Sequence, residues 1–176
     1  MFRYLLVALL IACVPLPASA QRATQEQLSS RISTPMFVRK ATAGNLFEIQ
    51  SSQLALTRSR DNRVRSFARH LIEDHRMAGR QLRASLRRAG LRRPPERMDA
   101  RHLNLLAQMR DTRRREFDNA FIEAQIEAHR NAISLFRGYA RTGQNPQLRQ
   151  FAHSALPVLE GHLNTALRLA PRVAVR

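Results

Sequence analysis

The stretch VRSFARHLIEDHRMAGRQLRASL (residues 64–86) decides the fold. Its apolar residues Val64, Phe67, Ala68, Leu71, Ala78, Leu82 and Leu86 recur at steps of three and four, the spacing of one face of an α-helix. At about 100° per residue, His75 falls on the same stripe as Leu71, Ala78 and Leu82, so this helix turns an imidazole toward its apolar side. Whether that histidine has company depends on how many other helices do the same.

Working outward, "RDN" (60–62) marks a turn, Asp61 is placed to cap the helix that follows, and Gly90 stops it, giving a helix over about 62–89. Upstream, "STPMFVRK" (33–40) supplies Ser33 or Thr34 as N-cap and Pro35 at the first helical position, so an earlier helix runs to about Arg60. Downstream, the prolines and glycine of "GLRRPPER" (90–97) predict a loop, and "MDARHLNLLAQM" (98–109) reads as a short connecting helix. Asp111 or Thr112 is expected to open a third long helix through Phe117, Phe121, Ile126, Ile133 and Phe136 to a stop at Gly143. "GQNPQL" (143–148) repeats the start grammar with Asn145 as cap and Pro146 first; the fourth long helix reaches about Ala170, with a kink expected at Pro157. No alternating β-branched pattern occurs. The fold class predicted is all-α, a four-helix bundle with a short connecting helix between helices two and three.

Each long helix offers one inward residue of metal-ligand type. His129 shares its stripe with Ile122, Gln125, Ile133 and Phe136, and His162 lies on the stripe of Ala155, Leu159 and Ala166. Glu48 is bracketed by Ala41, Gly44, Asn45, Ser52 and Ala55. Counting rise from the turns puts Glu48 within about a helical turn of the level of His75; His129 and His162 lie about fourteen residues before and nineteen after the Gly143 turn, a mismatch that a kink at Pro157 would partly absorb. His70 and His153 point to other faces of the same helices, His102 is on the connecting segment, and Asp118 is about 16 Å along the helix from His129. The expected centre is therefore Glu48, His75, His129 and His162, with Asp74 and Gln125 behind them. Three imidazoles and a carboxylate suit one divalent transition metal such as Zn, Fe, Mn or Cu. The alternative is a purely structural polar core, with an ionised Glu48 bonded by a histidine and the remaining groups satisfied by Asn45, Ser52 and Gln125.

The stretches FVRKATAGNLFEIQSSQLAL (37–56), FARHLIEDH (67–75), FDNAFIEAQIEAHRNAISLF (117–136), TGQNPQLRQFA (142–152) and LPVLEGHLNTAL (156–167) together resemble the bacterial family called domain of unknown function 4142. The likeness covers about residues 35 to 170, and its motif positions fall on Gly44, Glu48, Asp74, His75, Phe117, Asp118, Gln125, His129, Leu156, Pro157 and His162. The resemblance implies a ferritin-like bundle and an outer-membrane or periplasmic setting, and supplies no reaction. Two departures stand out. Ferritin-like di-iron sites pair a Glu with a His three residues later on two helices, whereas Ile72, Ile126 and Leu159 precede these histidines, which argues against a carboxylate-bridged di-iron oxidase. The "RRR" run at 113–115 stands where smaller residues are expected, and leaves the start of the third long helix the least fixed boundary.

The first twenty residues of MFRYLLVALLIACVPLPASAQ (1–21) have an early Arg, an apolar run and small residues at Ala18 and Ala20. They read as a secretory signal with the mature chain starting at Gln21; a lipoprotein signal at Cys13 is the lesser alternative. The predicted organisation is signal 1–20, polar tether 21–33, bundle 34–171 and tail 172–176. Cys13 is the only cysteine, so the mature chain has none for a disulfide. The net charge of +17 suggests anionic partners, but Lys40 is the only lysine among 30 basic residues and no aromatic residues interleave the arginines for base stacking. Nucleic acid is not expected as a partner; the arginines read first as a solvated face, with loose contact with an anionic membrane surface as the alternative. No nucleophile with an adjacent base and no cofactor loop is identifiable, which ranks an enzyme behind an exported metal-binding bundle and a non-catalytic envelope-stress or interaction protein.

Overall fold

The computed structural model describes residues 32–173, with side chains to residue 170. The expected signal peptide, Cys13 and nearly all of the tether lie outside the described residues. Five helices are present among them: α1 (Thr34–Arg58), α2 (Asn62–Arg88), α3 (Ala100–Asp111), α4 (Phe117–Thr142) and α5 (Pro146–Val173). The protein is an all-α bundle of four long helices, with α3 as the short connector.

Most helix starts follow the side chains that can serve the first free N–H groups. Ser33 Oγ accepts from the Met36 amide, with Pro35 in the first turn. Asp61 accepts from the Arg63 amide at 2.8 Å, Asp99 from the His102 amide at 3.0 Å, and Asn145 from the Leu148 amide at 3.0 Å. The stops differ in kind. Gly90 has φ +66°, the left-handed conformation that a side chain disfavours. Gly143 has φ −61° and is required for space instead: a Cβ there would lie 2.6 Å from the Tyr139 ring. α5 continues without interruption through Pro157.

The start of α4 corrects the sequence expectation. Asp111 ends α3 and α4 begins only at Phe117, because a distant side chain claims the intervening backbone. Arg58, at the end of α1, donates to the carbonyls of Arg110 (2.6 Å) and Thr112 (2.5 Å) and lies over the Phe117 ring at 5.2 Å. The free carbonyl of Arg110 at the end of α3 and that of Thr112 just beyond it are thereby satisfied without a continuing helix.

α1 packs on α2 and α4 on α5 as helical hairpins, while α2 meets α5, α1 meets α4, and α3 rests on α1 and α4. The interior holds two apolar clusters. One contains Phe47, Val64, Phe67, Leu71, Phe121 and Ala166; the other contains Phe37, Leu82, Ile133, Phe136, Leu148 and Leu159. On α2, α4 and α5 the histidines fall in sequence between the members of the two clusters, Leu71 and Leu82, Phe121 and Ile133, Leu159 and Ala166. A polar layer thus divides the core.

Candidate metal centre

The layer is built from side chains that their helices turn inward. Glu48 is 5% exposed, His75 7%, His129 1%, His162 6% and Gln125 0%. The three histidines each present one ring nitrogen such that all three nitrogens lie within 4.8 Å of one another. The controls separate as their faces require: His70 and His153 are exposed and His102 is half-buried, the last bonded to Asp99 at 2.8 Å.

Hydrogen bonds to the outer ring nitrogens assign the protons. His129 Nδ1 donates to the Gln125 carbonyl at 2.9 Å. His162 Nε2 donates to Asp74 Oδ2 at 2.8 Å. His75 Nδ1 faces Asn45 Oδ1 at 3.3 Å, and a carbonyl oxygen there can only accept. A neutral imidazole has one N–H, so the remaining nitrogens, His129 Nε2, His162 Nδ1 and His75 Nε2, carry lone pairs. The first two stand 3.3 Å apart, and His75 Nε2 is buried with no hydrogen-bond partner.

Protonation is a poor way to relieve this convergence. Burial pushes His75 well below its ordinary value, with His129 and His162 adding repulsion. Burial, helped by His162, lowers His129 from 6.5 to about 4. His162 is also lowered by burial, with Asp74 opposing the shift. The three rings are accordingly neutral at pH 7, and the cost of charging any of them is desolvation.

Glu48 stands apart from the three converging nitrogens. Its Oε1 lies 3.7 Å from His129 Nδ1, the ring nitrogen already committed to the Gln125 carbonyl. Burial raises its carboxyl from 4.5 to about 8, against a smaller lowering by a hydrogen bond from Gln125, so it is protonated at neutral pH and not the ionised centre of the structural alternative. Glu48 Oε2, Ser52 Oγ and Gln125 Oε1 are buried without hydrogen-bond partners.

Asp74 and Gln125 both sit behind the rings, but in different ways. Asp74 uses its side chain; Gln125 uses its backbone carbonyl toward His129, while its amide donates to Ser51 Oγ at 3.1 Å. Ser51 and the His75 contact of Asn45 were missed from sequence. Asn45 was visible only as a polar residue on the inward face of α1, and Ser51 carried no signal beyond its position one turn after Glu48.

A cavity of about 470 Å³ reaches this layer. Glu48, His75 and His129 line it, together with the small residues Ala41, Gly44, Ala128 and Ala132 of α1 and α4. Where those two helices face each other, small side chains leave the gap.

The sequence profile described as "Domain of unknown function (DUF4142)" matches residues 17–169, and the chain belongs to that family. No curated protein matches it. Among solved structures, it is similar to a DUF305 fragment from Deinococcus radiodurans, with TM-score 0.67 and 20% identity over 77% of this chain and 93% of that one. It is also similar to CopM in the Cu(II)-bound form, with TM-score 0.68 and 15% identity over 81% of this chain and 98% of that one. At these identities both likenesses show the ferritin-like bundle fold.

Proposed function

We propose that this DUF4142 protein binds one divalent transition-metal ion through His75, His129 and His162, and that copper(II) is the ion to test first. The observation that carries the reading is the set of ring contacts: each histidine has one nitrogen facing an oxygen acceptor, and the three rings bring one nitrogen each within 4.8 Å of one another. Metal-binding histidines are held in this way, with the second ring nitrogen donating to a carboxylate or carbonyl. Two nitrogens bound at roughly 2.0–2.1 Å to one tetrahedral ion are separated by about 3.3 Å, the distance between His129 Nε2 and His162 Nδ1.

Imidazole suits copper and zinc alike, and copper(II) stands highest in affinity for a given nitrogen site. The Cu(II)-bound form of the structurally similar CopM makes the same ion the natural choice. Glu48, expected from sequence as a fourth ligand, takes a different place in this reading: a carboxyl beside His129 that a nearby cation draws toward ionisation. When bound, the ion supplies Lewis acidity and, as copper, a one-electron couple; the chain's own contribution is to orient the rings and keep them neutral.

The test is titration of chelator-treated protein with Cu(II) and, separately, Zn(II). One equivalent should bind and raise the melting temperature, and His75→Ala and His129→Ala should abolish the effect. His70→Ala and His153→Ala should leave affinity unchanged. If all four variants behave alike, or if neither ion stabilises the protein, the layer is a structural polar core and the non-catalytic interaction protein becomes the better reading.

We further propose that the chain is exported to the cell envelope and begins at Gln21 when mature, on the signal-like pattern of residues 1–20. No described helix is long and apolar enough to cross a membrane. Intact-mass measurement of the envelope fraction tests the start; an acylated Cys13 would reverse it.

A further inference from the structure

The cavity between α1 and α4 offers more than a route to the histidines. Its walls are mainly apolar, with Leu82, Phe136, Phe151 and Leu159 drawn from the apolar cluster on one side of the polar layer. Its volume lies in the range that holds small organic ligands. Three charged side chains besides Glu48 and the histidines line it: Lys40, Asp99 and Arg101. Asp99 is bonded to His102, and Arg101 is paired with Glu127. Lys40 is exposed and is left as the lining charge with no counter-ion among the described residues. It is also the only lysine of the chain.

We propose that this cavity binds a free medium-chain fatty-acid anion, its hydrocarbon tail among the apolar walls and its carboxylate at Lys40. The orientation follows from desolvation and charge: at the inner end, beside Glu48 (5% exposed), a carboxylate would give up its hydration with no cation to meet it, whereas at Lys40 it gains an ammonium in a partly solvated setting. Asn131 and Ser134 line the cavity as well and are exposed, so their side chains are available as hydrogen-bond donors near the head. The excess positive charge of +17 raises the local concentration of such anions. Small residues keep the space open: a Cβ at Gly44 would meet nothing within 4 Å, so a larger side chain there can occupy the cavity itself.

None of this requires the metal ion, and the test is made on chelator-treated full chain so that failure of the metal reading leaves it intact. Calorimetric titration with decanoate, decanol and decylammonium, below their micelle concentrations, compares one tail with three heads. Decanoate should bind about one to one, roughly tenfold or more tighter than decanol, the equivalent of about 1.4 kcal/mol, with decylammonium weakest. Lys40→Glu should remove the preference for decanoate over decanol and Lys40→Arg should keep it. Gly44→Leu should abolish binding of all three; if that variant loses helicity, Ala128→Leu, on the facing helix, takes its place. The proposal is overturned if decanol binds as well as decanoate, if Lys40→Glu leaves the preference intact, or if a folded cavity-filling variant still binds. Binding to anionic phospholipid vesicles that Gly44→Leu does not diminish, with no uptake of free decanoate, would likewise overturn it in favour of surface attraction.

Discussion

Glu48→Gln isolates the cost of burying a carboxyl in the polar layer. The glutamine amide copies the shape of the protonated acid but cannot ionise. In the metal-free fold the carboxyl is raised from 4.5 to about 8; unfolding returns it to its ordinary value. The sign follows: below about pH 4.5 both states hold the proton and nothing is lost. As pH rises from there toward 8, the unfolded chain releases a proton that the fold retains, and stability falls. Each pH unit in that interval costs about 1.4 kcal/mol. Between pH 5 and pH 7 the stability of the variant relative to wild type should therefore increase by roughly 3 kcal/mol. Urea unfolding of chelator-treated protein, followed by circular dichroism at a series of pH values, measures it. The comparison removes the histidine titrations, which both proteins share. A difference that stays constant across this interval would refute the reasoning, since Glu48 would then already be ionised in the fold.

Three further outcomes are expected. For wild type without metal, stability should also fall on the acid side: His129 is depressed from 6.5 to about 4, so as pH drops below 6.5 the unfolded chain takes up a proton first, with a loss of roughly 3 kcal/mol by pH 4 from this ring alone; an acid limb absent from the same urea series would mean the ring is solvated. Asp74→Asn should weaken copper(II) binding roughly 10- to 100-fold while leaving the helical content of the metal-free protein unchanged, as read by titration and circular dichroism. Leu71→Ala, at a site with 0% exposure, should cost about 2–5 kcal/mol in the unfolding free energy.

The four long helices were legible because their signals are local. Stripes such as Val64, Phe67 and Leu71 are periodic within one helix, and Ser33, Asp61 and Asn145 cap backbone groups two or three residues away. The start of α4 was not legible, since it is set by Arg58, more than fifty positions earlier, reaching the carbonyls of Arg110 and Thr112. A capping pattern cannot register a guanidinium supplied by another helix. The convergence of His75, His129 and His162 could be read by counting residues along and around the helices. Their proton positions could not: one is fixed by the backbone carbonyl of Gln125, a group every residue possesses, and another by Asp74, which reaches His162 from a partly exposed position on a different helix. The protonated state of Glu48 escaped notice for a related reason. Sequence identifies a carboxylate, while its titration depends on how completely three other helices exclude water.

The polar layer also limits how the helices can slide. A displacement of α5 by one turn, about 5.4 Å, would carry His162 away from His129 and Asp74 and into one of the apolar clusters on either side. An apolar side chain would be lost from its cluster as well, because the shift brings either Leu159 or Ala166, depending on its direction, to the level of the polar layer. A buried imidazole without a partner costs on the order of 1–3 kcal/mol, and Asp74 would lose its ring at the same time. The same placement that turns three lone pairs together therefore opposes the misregistered bundle, and it does so before any ion is bound. Leucine in all three positions would remove that opposition, since an uninterrupted apolar stripe packs nearly as well one turn up or down. A ligand set and a register device occupy the same residues, with the ion needed only for the first.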